Sequence, residues 1–386
     1  MVAQSAGMSR SPDVVIIGGG IIGCSAAAIL AERGATVVLY EATAIGAGAS
    51  GRNLGAIQHP FDTILAPLYH ASLEQYRLIA DDEFAMPDRP AGVLLLNRDR
   101  EATRRQVQLL TAAVPDLPVE FLDADAVAAA EPSLAPGFAA CRLDTGYPIP
   151  PGSATSTFSR LATGRGAQIR VGTAATPWIE DGTLRGVTLA DGTHDSTGTV
   201  LVAAGPWSPP LVDPAGAWQP ITRTWGVTVQ LDLGAAAPRH VIEEDEVDAV
   251  NRPLVAAALA AEGEPAADPH SLFTVASAAG VSTLGSIFLA DEPDPARIAR
   301  LLIDRGSLYL PAIGSAPVHQ VRVCARPQSA DSRPFIGPVA GIEGLFVCAG
   351  HGPWGISTGP ASATLVVDAI LSGAAVPTEL AAGRAI

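Results

Sequence analysis

Short apolar runs separated by glycine and small polar residues dominate the first fifty positions. The β-branched run Val14–Ile17 is typical of a buried strand. An alanine-rich helix is predicted over residues 21–33 and is closed by Gly34. A second apolar strand follows over residues 36–40. The order strand, helix, strand predicts a βαβ unit of ordinary size at the start of the chain.

The remaining pattern predicts a mixed α/β protein without an internal repeat. A charged helical pattern covers residues 72–130 and is broken by a strand at 92–96. A helix is predicted at 297–310 and another at 356–371. Further strands are predicted at 167–178, 184–189, 200–204, 225–233, 272–289, 318–324 and 345–348. The strands at 225–233 and 272–289 are assigned to a second sheet.

Three segments are predicted to lie outside regular elements. Residues 46–51 read Gly-Ala-Gly-Ala-Ser-Gly, a stretch too small and flexible for regular structure. Residues 255–270 are rich in Ala, Glu, Pro and Gly, which predicts a surface excursion. The acidic run 243–246 is predicted to form a solvated face.

Composition narrows the class of protein. The chain has 386 residues, of which 48% are apolar and 16% charged, so it can bury a core as one large or two intertwined domains. Its net charge of −15 argues against nucleic-acid binding. Four cysteines show no C-x-x-C spacing, and seven histidines show no metal-ligand spacing, so no metal site is expected. The uncharged stretch 14–31 contains four glycines, which argues against a signal peptide or membrane span and favours a cytoplasmic protein.

The turn after the first strand carries the first candidate chemistry. Gly18, Gly20 and Gly23 fit G-x-G-x-x-G between a strand and a helix, and Glu41 ends the next strand. Gly18 permits the tight turn, Gly20 allows close approach of a pyrophosphate, and Gly23 allows close helix packing. The helix N-terminus attracts phosphate, and Glu41 can accept hydrogen bonds from ribose. The motif predicts a dinucleotide, either NAD or FAD.

Four blocks in this sequence resemble the D-amino-acid oxidase/glycine oxidase (DAO) family of flavoproteins, which favours FAD. They are Glu41 with residues 46–53, residues 200–208, Cys324 to Pro327 followed by Asp331 and 334–337, and residues 349–355. The resemblance implies a Rossmann-like FAD-binding domain interleaved with a substrate domain on a large mixed, mainly antiparallel sheet with helices. The FAD-binding domain would comprise residues 1–56, 140–220 and 325–386. The substrate domain would comprise residues 57–139 and 221–324.

The resemblance also implies a set of FAD contacts. Ile21 and Ile22 would lie by the pyrophosphate, Glu41 and Ala42 by the adenosine, and the backbone of Ala175 by the adenine. Residues expected beside the flavin are Ala49, Ser50, Leu54, Gly55 and Ala56, and then His351, Gly352, Pro353, Trp354, Gly355, Ile356 and Ser357. The later strand block adds Ala204, Gly205 and Trp207. The helix after Gly355 would direct its positive end at the flavin.

Arg326 occupies the position where the family binds the carboxylate of its substrate. A planar guanidinium suits that task because it can grip a carboxylate with two hydrogen bonds. Pro353 and Trp354 stand where some relatives carry a second cation, and Phe273 stands where glycine oxidase has a tyrosine. These changes predict a bulkier, more apolar pocket and argue against glycine as substrate. His59 follows the small-residue loop and is a further candidate for the pocket.

Cys324 is a candidate for a covalent bond to FAD. In the sarcosine oxidase branch, a cysteine seven residues before the motif aspartate carries the flavin, and Asp331 follows Cys324 by seven residues. The neighbouring residues are similar to those of the noncovalent branch, and cysteine is common in buried strands. Noncovalent FAD is therefore expected.

The predicted function is FAD-dependent oxidation of the C–N bond of an amino acid or related amine. Hydride would pass to flavin N5, giving an imine that water hydrolyses, and no catalytic acid or base is assigned. Three alternatives remain. The chain could be an NAD(P)-dependent dehydrogenase, a nonenzymatic flavin-binding regulator, or the FAD subunit of a multi-subunit dehydrogenase with an iron–sulfur partner. The cysteine spacing cannot supply such a cluster in this chain. The electron acceptor, oxygen or another, is left open.

Overall fold

The computed structural model describes residues 11–245 and 273–385. The predicted βαβ unit is confirmed: strand β1 (Val14–Ile17) leads through a glycine turn into helix α1 (Ile21–Glu32), and β2 (Val37–Glu41) follows. Strand β1 pairs in parallel with β2, with Val14 opposite Val37 and Ile17 opposite Tyr40. All four residues of β1 are buried, which explains why the run is apolar throughout rather than alternating.

A six-stranded sheet is built around this unit. Its other strands are β8 (Gln168–Val171), β12 (Val200–Val202), β18 (Phe335–Pro338) and β19 (Leu345–Ala349), and the order is β18-β19-β12-β1-β2-β8. Neighbours pair in parallel except β18 and β19. Helices α1, α6 (Ser153–Gly164) and α9 (Gly355–Ser372) pack together on one face. The other face is covered by the antiparallel strands β9 (Ala175–Glu180), β10 (Thr183–Leu189) and β11 (His194–Ser196).

An eight-stranded sheet forms the second layer. Its strands are β4 (Val93–Asn97), β5 (Val119–Leu122), β6 (Ala139–Leu143), β13 (Ile221–Leu231), β14 (Val241–Glu244), β15 (Thr274–Ala278), β16 (Val281–Gly285) and β17 (Val318–Ser329). All neighbours are antiparallel except β14 and β4. Helix α8 (Pro295–Ser307) buries Ile298 and Leu302 against one face of this sheet. The predicted combination of a Rossmann-like unit and a large, mainly antiparallel sheet is confirmed.

Residues 72–130 are less helical than the pattern predicted. Residues 72–130 hold the end of α3 (Ala66–Ile79), then α4 (Arg100–Ala113) and α5 (Ala124–Ala130), together with strand β5. Asp99 and Asp123 cap α4 and α5 by accepting backbone N–H bonds, which fixes where each helix begins. Two short strands, β3 (Ala56–Ile57) and β7 (Tyr147–Pro148), pair between the sheets.

Two segments predicted to be irregular or solvated are structured. Residues 46–51 include the start of a short helix, α2 (Ala49–Arg52), and a short helix, α7 (Ser208–Val212), follows the turn after β12. Glu243 and Glu244 of the acidic run are buried: Gln58 donates a hydrogen bond to the Glu243 carboxylate, and Arg305 and Tyr309 both donate to the Glu244 carboxylate. The predicted solvated face is therefore wrong for these two residues. Glu246 and the predicted excursion at 255–270 lie outside the described residues.

The residue ranges of the two domains stay a prediction. Strand β6 belongs to the eight-stranded sheet although the predicted boundary lies at residue 140, and β17 runs past the predicted boundary at 325. Both strands continue because neighbouring strands pair with them along their length: β6 pairs with β4 from Ala139 to Leu143, and β17 pairs with β13 from Val318 to Ser329 with one register irregularity at Gln230–Leu231. Within the described residues, no helix has the length and apolar character needed to cross a membrane.

Candidate cofactor and substrate site

A cavity with a volume of about 870 Å³ extends from the glycine turn of the six-stranded sheet to one face of the eight-stranded sheet. One end is formed by the β1–α1 turn and the end of β2. The other end is formed by β13 and β17, with the start of α9 along the side. Gly226, Thr228, Cys324 and Arg326 contribute to the second end. The cavity therefore joins the two layers of the fold.

The glycines of the turn serve two separate purposes. A Cβ on Gly18 would lie 2.5 Å from the carbonyl oxygen of Ala203, and one on Gly23 would lie 1.9 Å from the carbonyl oxygen of Gly18. Neither contact is sterically allowed, so both glycines are required by backbone packing. A Cβ on Gly20 would meet only the Ser50 Oγ, at 3.1 Å. The absence of a side chain at Gly20 thus leaves open space in the cavity, as a cradle for a pyrophosphate requires.

Polar groups of the chain brace this end of the cavity. Ser50 Oγ accepts a hydrogen bond from the Ile21 N–H at 3.0 Å, so it fixes the small-residue segment beside the start of α1. Glu41 Oε2 accepts from the Gly19 N–H at 2.7 Å, and Oε1 accepts from Thr43. A carboxylate has about four acceptor positions, so Glu41 retains capacity for a further donor such as a ribose hydroxyl. The first turn of α1 contains no acidic side chain that would repel a phosphate.

The side of the cavity is formed by the start of α9. The cavity is lined here by Gly352, Pro353, Gly355 and Ile356. The positive end of this 18-residue helix lies beside the cavity. His351 is buried, and its Nε2 has no hydrogen-bond partner among the described residues. Burial lowers the pKa of His351 to about 3, so the imidazole is neutral at physiological pH. An unpaired buried ring nitrogen beside a cavity fits a site that receives a polar group.

Arg326 lies in the wall at the other end. Its Nη1 donates to the Ile287 carbonyl oxygen at 2.9 Å and its Nη2 to Ser286 Oγ at 3.2 Å, while the Phe288 ring covers it at 4.5 Å. A Cβ on Gly226 would lie 2.4 Å from Nη1, so glycine at that position makes room for the guanidinium. Burial lowers the pKa of Arg326, but a guanidinium stays charged at physiological pH.

Cys324 lines the cavity between charged neighbours. It is 9% exposed, and burial raises the pKa of its thiol while Arg326, Arg52 and Arg322 lower it. The net direction is upward, which keeps the sulfur as a thiol at neutral pH. Noncovalent binding of FAD stays a prediction from the sequence.

Arg322 was not found by sequence reasoning. Its Nε donates to Thr228 Oγ1 at 3.2 Å, its Nη1 to the Gly51 carbonyl oxygen at 3.2 Å, and its Nη2 to the Asn53 carbonyl oxygen at 3.0 Å. Burial lowers the pKa of Arg322 to about 10. The period of two in a strand places Arg322, Cys324 and Arg326 on one face, and this alternation was the signal that could have identified it.

Three residues predicted for the substrate pocket lie outside the cavity lining. Phe273 is buried on the opposite face of the eight-stranded sheet and stacks on Tyr309 with ring centroids 4.7 Å apart. Trp354 packs against Phe61, with ring centroids 6.0 Å apart. His59 is buried, and its Nδ1 accepts the Phe61 N–H at 3.0 Å. The substrate contacts of these three residues stay predictions, and none of the three contributes to the cavity lining.

Most of the predicted cofactor residues line one continuous cavity. Those that do so are Gly18, Gly20, Ile21, Ile22, Glu41, Ala42, Ala49, Ser50, Ala175, Ala204, Gly205, Trp207, His351, Gly352, Pro353, Gly355 and Ile356. Gly23, Leu54, Gly55, Ala56, Trp354 and Ser357 are absent from the lining. Ser357 Oγ instead accepts the Gln58 N–H at 2.9 Å. The individual FAD contacts stay predictions, although the open cradle at Gly20 and the unpaired His351 nitrogen fit such a group.

Comparison with known proteins identifies the family to which this chain belongs. The family model "FAD dependent oxidoreductase" (DAO) matches residues 13–369. Glycine oxidase from Pseudomonas putida is 28% identical to this chain, and the match covers 94% of this chain and 95% of the glycine oxidase. D-amino acid dehydrogenase from Cereibacter sphaeroides is 29% identical over 76% of this chain and 64% of its own.

The fold has solved counterparts as well. Glycine oxidase from Geobacillus kaustophilus superimposes with a TM-score of 0.80 at 20% identity, covering 98% of this chain and 100% of that one. At that identity the likeness shows the fold alone, while the family model covers nearly the whole sequence. The chain therefore belongs to the DAO family of FAD-dependent oxidoreductases.

Proposed function

We propose that this enzyme oxidises the C–N bond of a carboxylate-bearing amine, an amino acid or a close relative of one. The observation that carries the proposal is a single cavity with a dinucleotide cradle at one end and the Arg326 guanidinium at the other. Relatives named glycine oxidase and D-amino acid dehydrogenase support the same substrate class. FAD, when bound in this cavity, supplies the two-electron acceptor for the reaction.

Arg326 would hold the substrate carboxylate. Two of its five N–H groups are committed to Ile287 and Ser286, and the Phe288 ring covers one face, so the guanidinium has a fixed orientation. A positioned guanidinium can still donate to both oxygens of a carboxylate. The chain would thereby fix the distance and direction of the carbon that is oxidised, which is the main contribution a protein makes to such chemistry.

The charges around the site would also control the protonation of the amine. Loss of hydride requires a neutral nitrogen, because an ammonium lacks the electron pair that forms the imine bond. The positive charges of Arg52, Arg322 and Arg326 all lower the pKa of the Cys324 thiol. Among the described lining residues, the one carboxylate is that of Glu41, at the far end of the cavity. Neighbouring positive charge disfavours the ammonium and lowers the pKa of a bound amine. No separate base is assigned.

The overall reaction balances without another group from the protein. The amine loses two electrons and two protons as its C–N single bond becomes a double bond. Water then adds to the imine carbon, and ammonia or a primary amine leaves as the carbonyl forms.

The multi-subunit alternative is not favoured. The matches that cover 94% of this chain include glycine oxidases from Pseudomonas putida and Pseudomonas aeruginosa. A cytoplasmic location stays a prediction from the sequence.

Anaerobic mixing of the FAD-loaded protein with a panel of D-amino, N-methyl and cyclic amino acids tests the proposal. At least one amine should bleach the flavin absorbance near about 450 nm and yield the matching carbonyl product. A correctly folded, FAD-loaded protein that no amine in the panel reduces would contradict the proposed function.

A further inference from the structure

Three guanidinium groups meet at the β17 end of the cavity without a carboxylate partner. Arg52, Arg322 and Arg326 surround Cys324, and none of them forms an ion pair with any residue in the two described stretches, 11–245 and 273–385. Elsewhere the chain does pair its partly buried arginines: Arg305 with Glu244 and Arg384 with Asp331. The chain as a whole carries a net charge of −15, so this cluster is not a reflection of a basic protein.

The three arginines are not equivalent. Arg322 is 8% exposed, and its Nε, Nη1 and Nη2 each donate to a protein oxygen, so it has a structural role. Arg52 and Arg326 both line the cavity. Arg52 makes one hydrogen bond, from Nη1 to the Val323 carbonyl oxygen at 2.7 Å, and the rest of its fork stays available.

Arg52 and Arg326 approach Cys324 from different sides. Arg52 is bonded to Val323, the neighbour of Cys324 along β17. The Arg326 guanidinium lies against Gly226, which is the partner of Cys324 on strand β13. Each is tied to a different backbone segment, since Arg326 is held by Ile287 and Ser286. The two forks therefore offer separate anion-binding positions rather than one shared position.

We propose that the substrate of this enzyme carries two carboxylates, one bound by Arg326 and the other by Arg52; this rests on the proposed function. Arg326 is half-buried and Arg52 is exposed, and both keep N–H groups from which no oxygen of the described residues accepts. A monocarboxylate would occupy only one of these two forks, whereas a dicarboxylic amine would occupy both. The second carboxylate belongs either to an amino-acid side chain or to a carboxyalkyl group on the nitrogen, and both present the same chemistry to Arg52.

Charge-matched pairs of compounds test the inference on the wild-type holoenzyme. Anaerobic flavin reduction is measured with both enantiomers of aspartate against asparagine, glutamate against glutamine, and iminodiacetate against its monoamide. Within at least one pair the diacid should react about 10- to 100-fold faster in kcat/KM, the range expected for one charge-assisted hydrogen-bonded contact. The pair that shows the preference identifies whether the second carboxylate lies on the side chain or on the nitrogen.

A binding readout makes the test independent of turnover. Succinate and malonate should perturb the flavin spectrum at lower concentration than propionate and acetate. Arg52→Gln should reduce the diacid preference in both assays at least fivefold, whereas Arg89→Gln, which removes one exposed charge away from the cavity, should leave that ratio unchanged.

Failure of this inference is distinct from failure of the proposed function. Equal kcat/KM values for diacid and amide in every reactive pair would overturn the inference while leaving amine oxidation in place. An Arg52→Gln variant that keeps the full preference would overturn the assignment to Arg52. The wild-type comparison decides the diacid question even if that variant fails to fold.

Discussion

At the scale of single residues, the glycines of the β1–α1 turn meet two different requirements, close backbone packing and an open cavity. Gly18 and Gly23 are required because a Cβ would overlap backbone oxygens, whereas Gly20 faces the cavity and only the Ser50 hydroxyl lies near. The motif was predictable from spacing, because the strand before it and the helix after it give it context. The separate roles of the three glycines were not predictable, because the role of Gly18 depends on its contact with Ala203, which lies far away in sequence.

Substitution at two glycines should separate cofactor binding from folding. Gly20→Val should fold with an apoprotein stability within about 1 kcal/mol of wild type and bind FAD at least tenfold more weakly, because its side chain fills the cradle. Gly23→Ala should lose about 3 kcal/mol or more, because the overlap is with backbone. Urea unfolding of the apoproteins and FAD titration measure both, with helical Gly164→Ala as the control. A Gly20→Val protein with normal FAD affinity would contradict this assignment.

Arg326 gives the second prediction at this scale. Arg326→Leu should lower kcat/KM for a carboxylate substrate by about 10- to 150-fold, because one charge-assisted pair contributes about 1.5–3 kcal/mol. Arg326→Lys should recover little, since it keeps the charge but loses the planar fork. The amide of the same substrate should lose a similar factor on wild type and little more on the Leu variant. FAD content should stay normal; loss of FAD or of folding would instead identify a structural arginine.

At the scale of elements, the contact between α2 and β17 connects the two layers of the fold. Arg322 reaches from β17 to the carbonyls of Gly51 and Asn53, and Arg52 reaches back from α2 to Val323. The sequence predicted neither the short helix nor the contact, because glycine-rich composition there indicates a loop. The reciprocal bonds provide the order that local propensity does not.

Removal of the Arg322 side of this contact should affect both stability and the cofactor. Arg322→Met should lower the free energy of unfolding by about 1–3 kcal/mol, because two backbone carbonyls and Thr228 lose a charged donor. FAD should bind more weakly, since Ala49 and Ser50 line the cavity. Arg223→Met, an exposed change on neighbouring β13, is the matched control for urea unfolding and FAD titration. Unchanged stability and FAD affinity in Arg322→Met would show that the bonds are dispensable.

At the scale of the whole molecule, local patterns predicted the layers and failed where distant contacts decide. The strands and the βαβ unit follow from apolar runs and glycine positions. The burial of Glu244 does not, because its partners Arg305 and Tyr309 come from another element. Phe273, the residue before β15, likewise joins the core with Tyr309 on the face away from the cavity, and its position in the sequence does not reveal this placement.

The buried histidines predict an acid-sensitive fold. Burial lowers the pKa of His59 to about 4 and of His351 to about 3, against an ordinary value of 6.5. The unfolded chain therefore binds more protons than the native state below pH 6.5, so the free energy of unfolding falls as pH falls through this range. His59→Asn keeps an acceptor for the Phe61 N–H without titrating.

Urea unfolding at pH 7.5 and 5.5 measures this effect. The loss of stability between the two pH values should be about 1 kcal/mol smaller in His59→Asn than in wild type. His319→Asn, at an exposed position, should show the wild-type loss. An identical loss in wild type and His59→Asn would mean that His59 does not carry the pH dependence.

In the proposed reaction, one cavity brings bound FAD and a carboxylate-bearing amine together. An anaerobic titration of purified holoenzyme with a reactive amino acid, followed by absorbance near about 450 nm and by carbonyl analysis, tests it directly. We expect one noncovalent FAD per chain, complete bleaching at one equivalent of amine, and one carbonyl product per FAD, with no nicotinamide added. Protein that cannot be reconstituted with FAD, or a loaded flavin whose absorbance no amine changes, would contradict it.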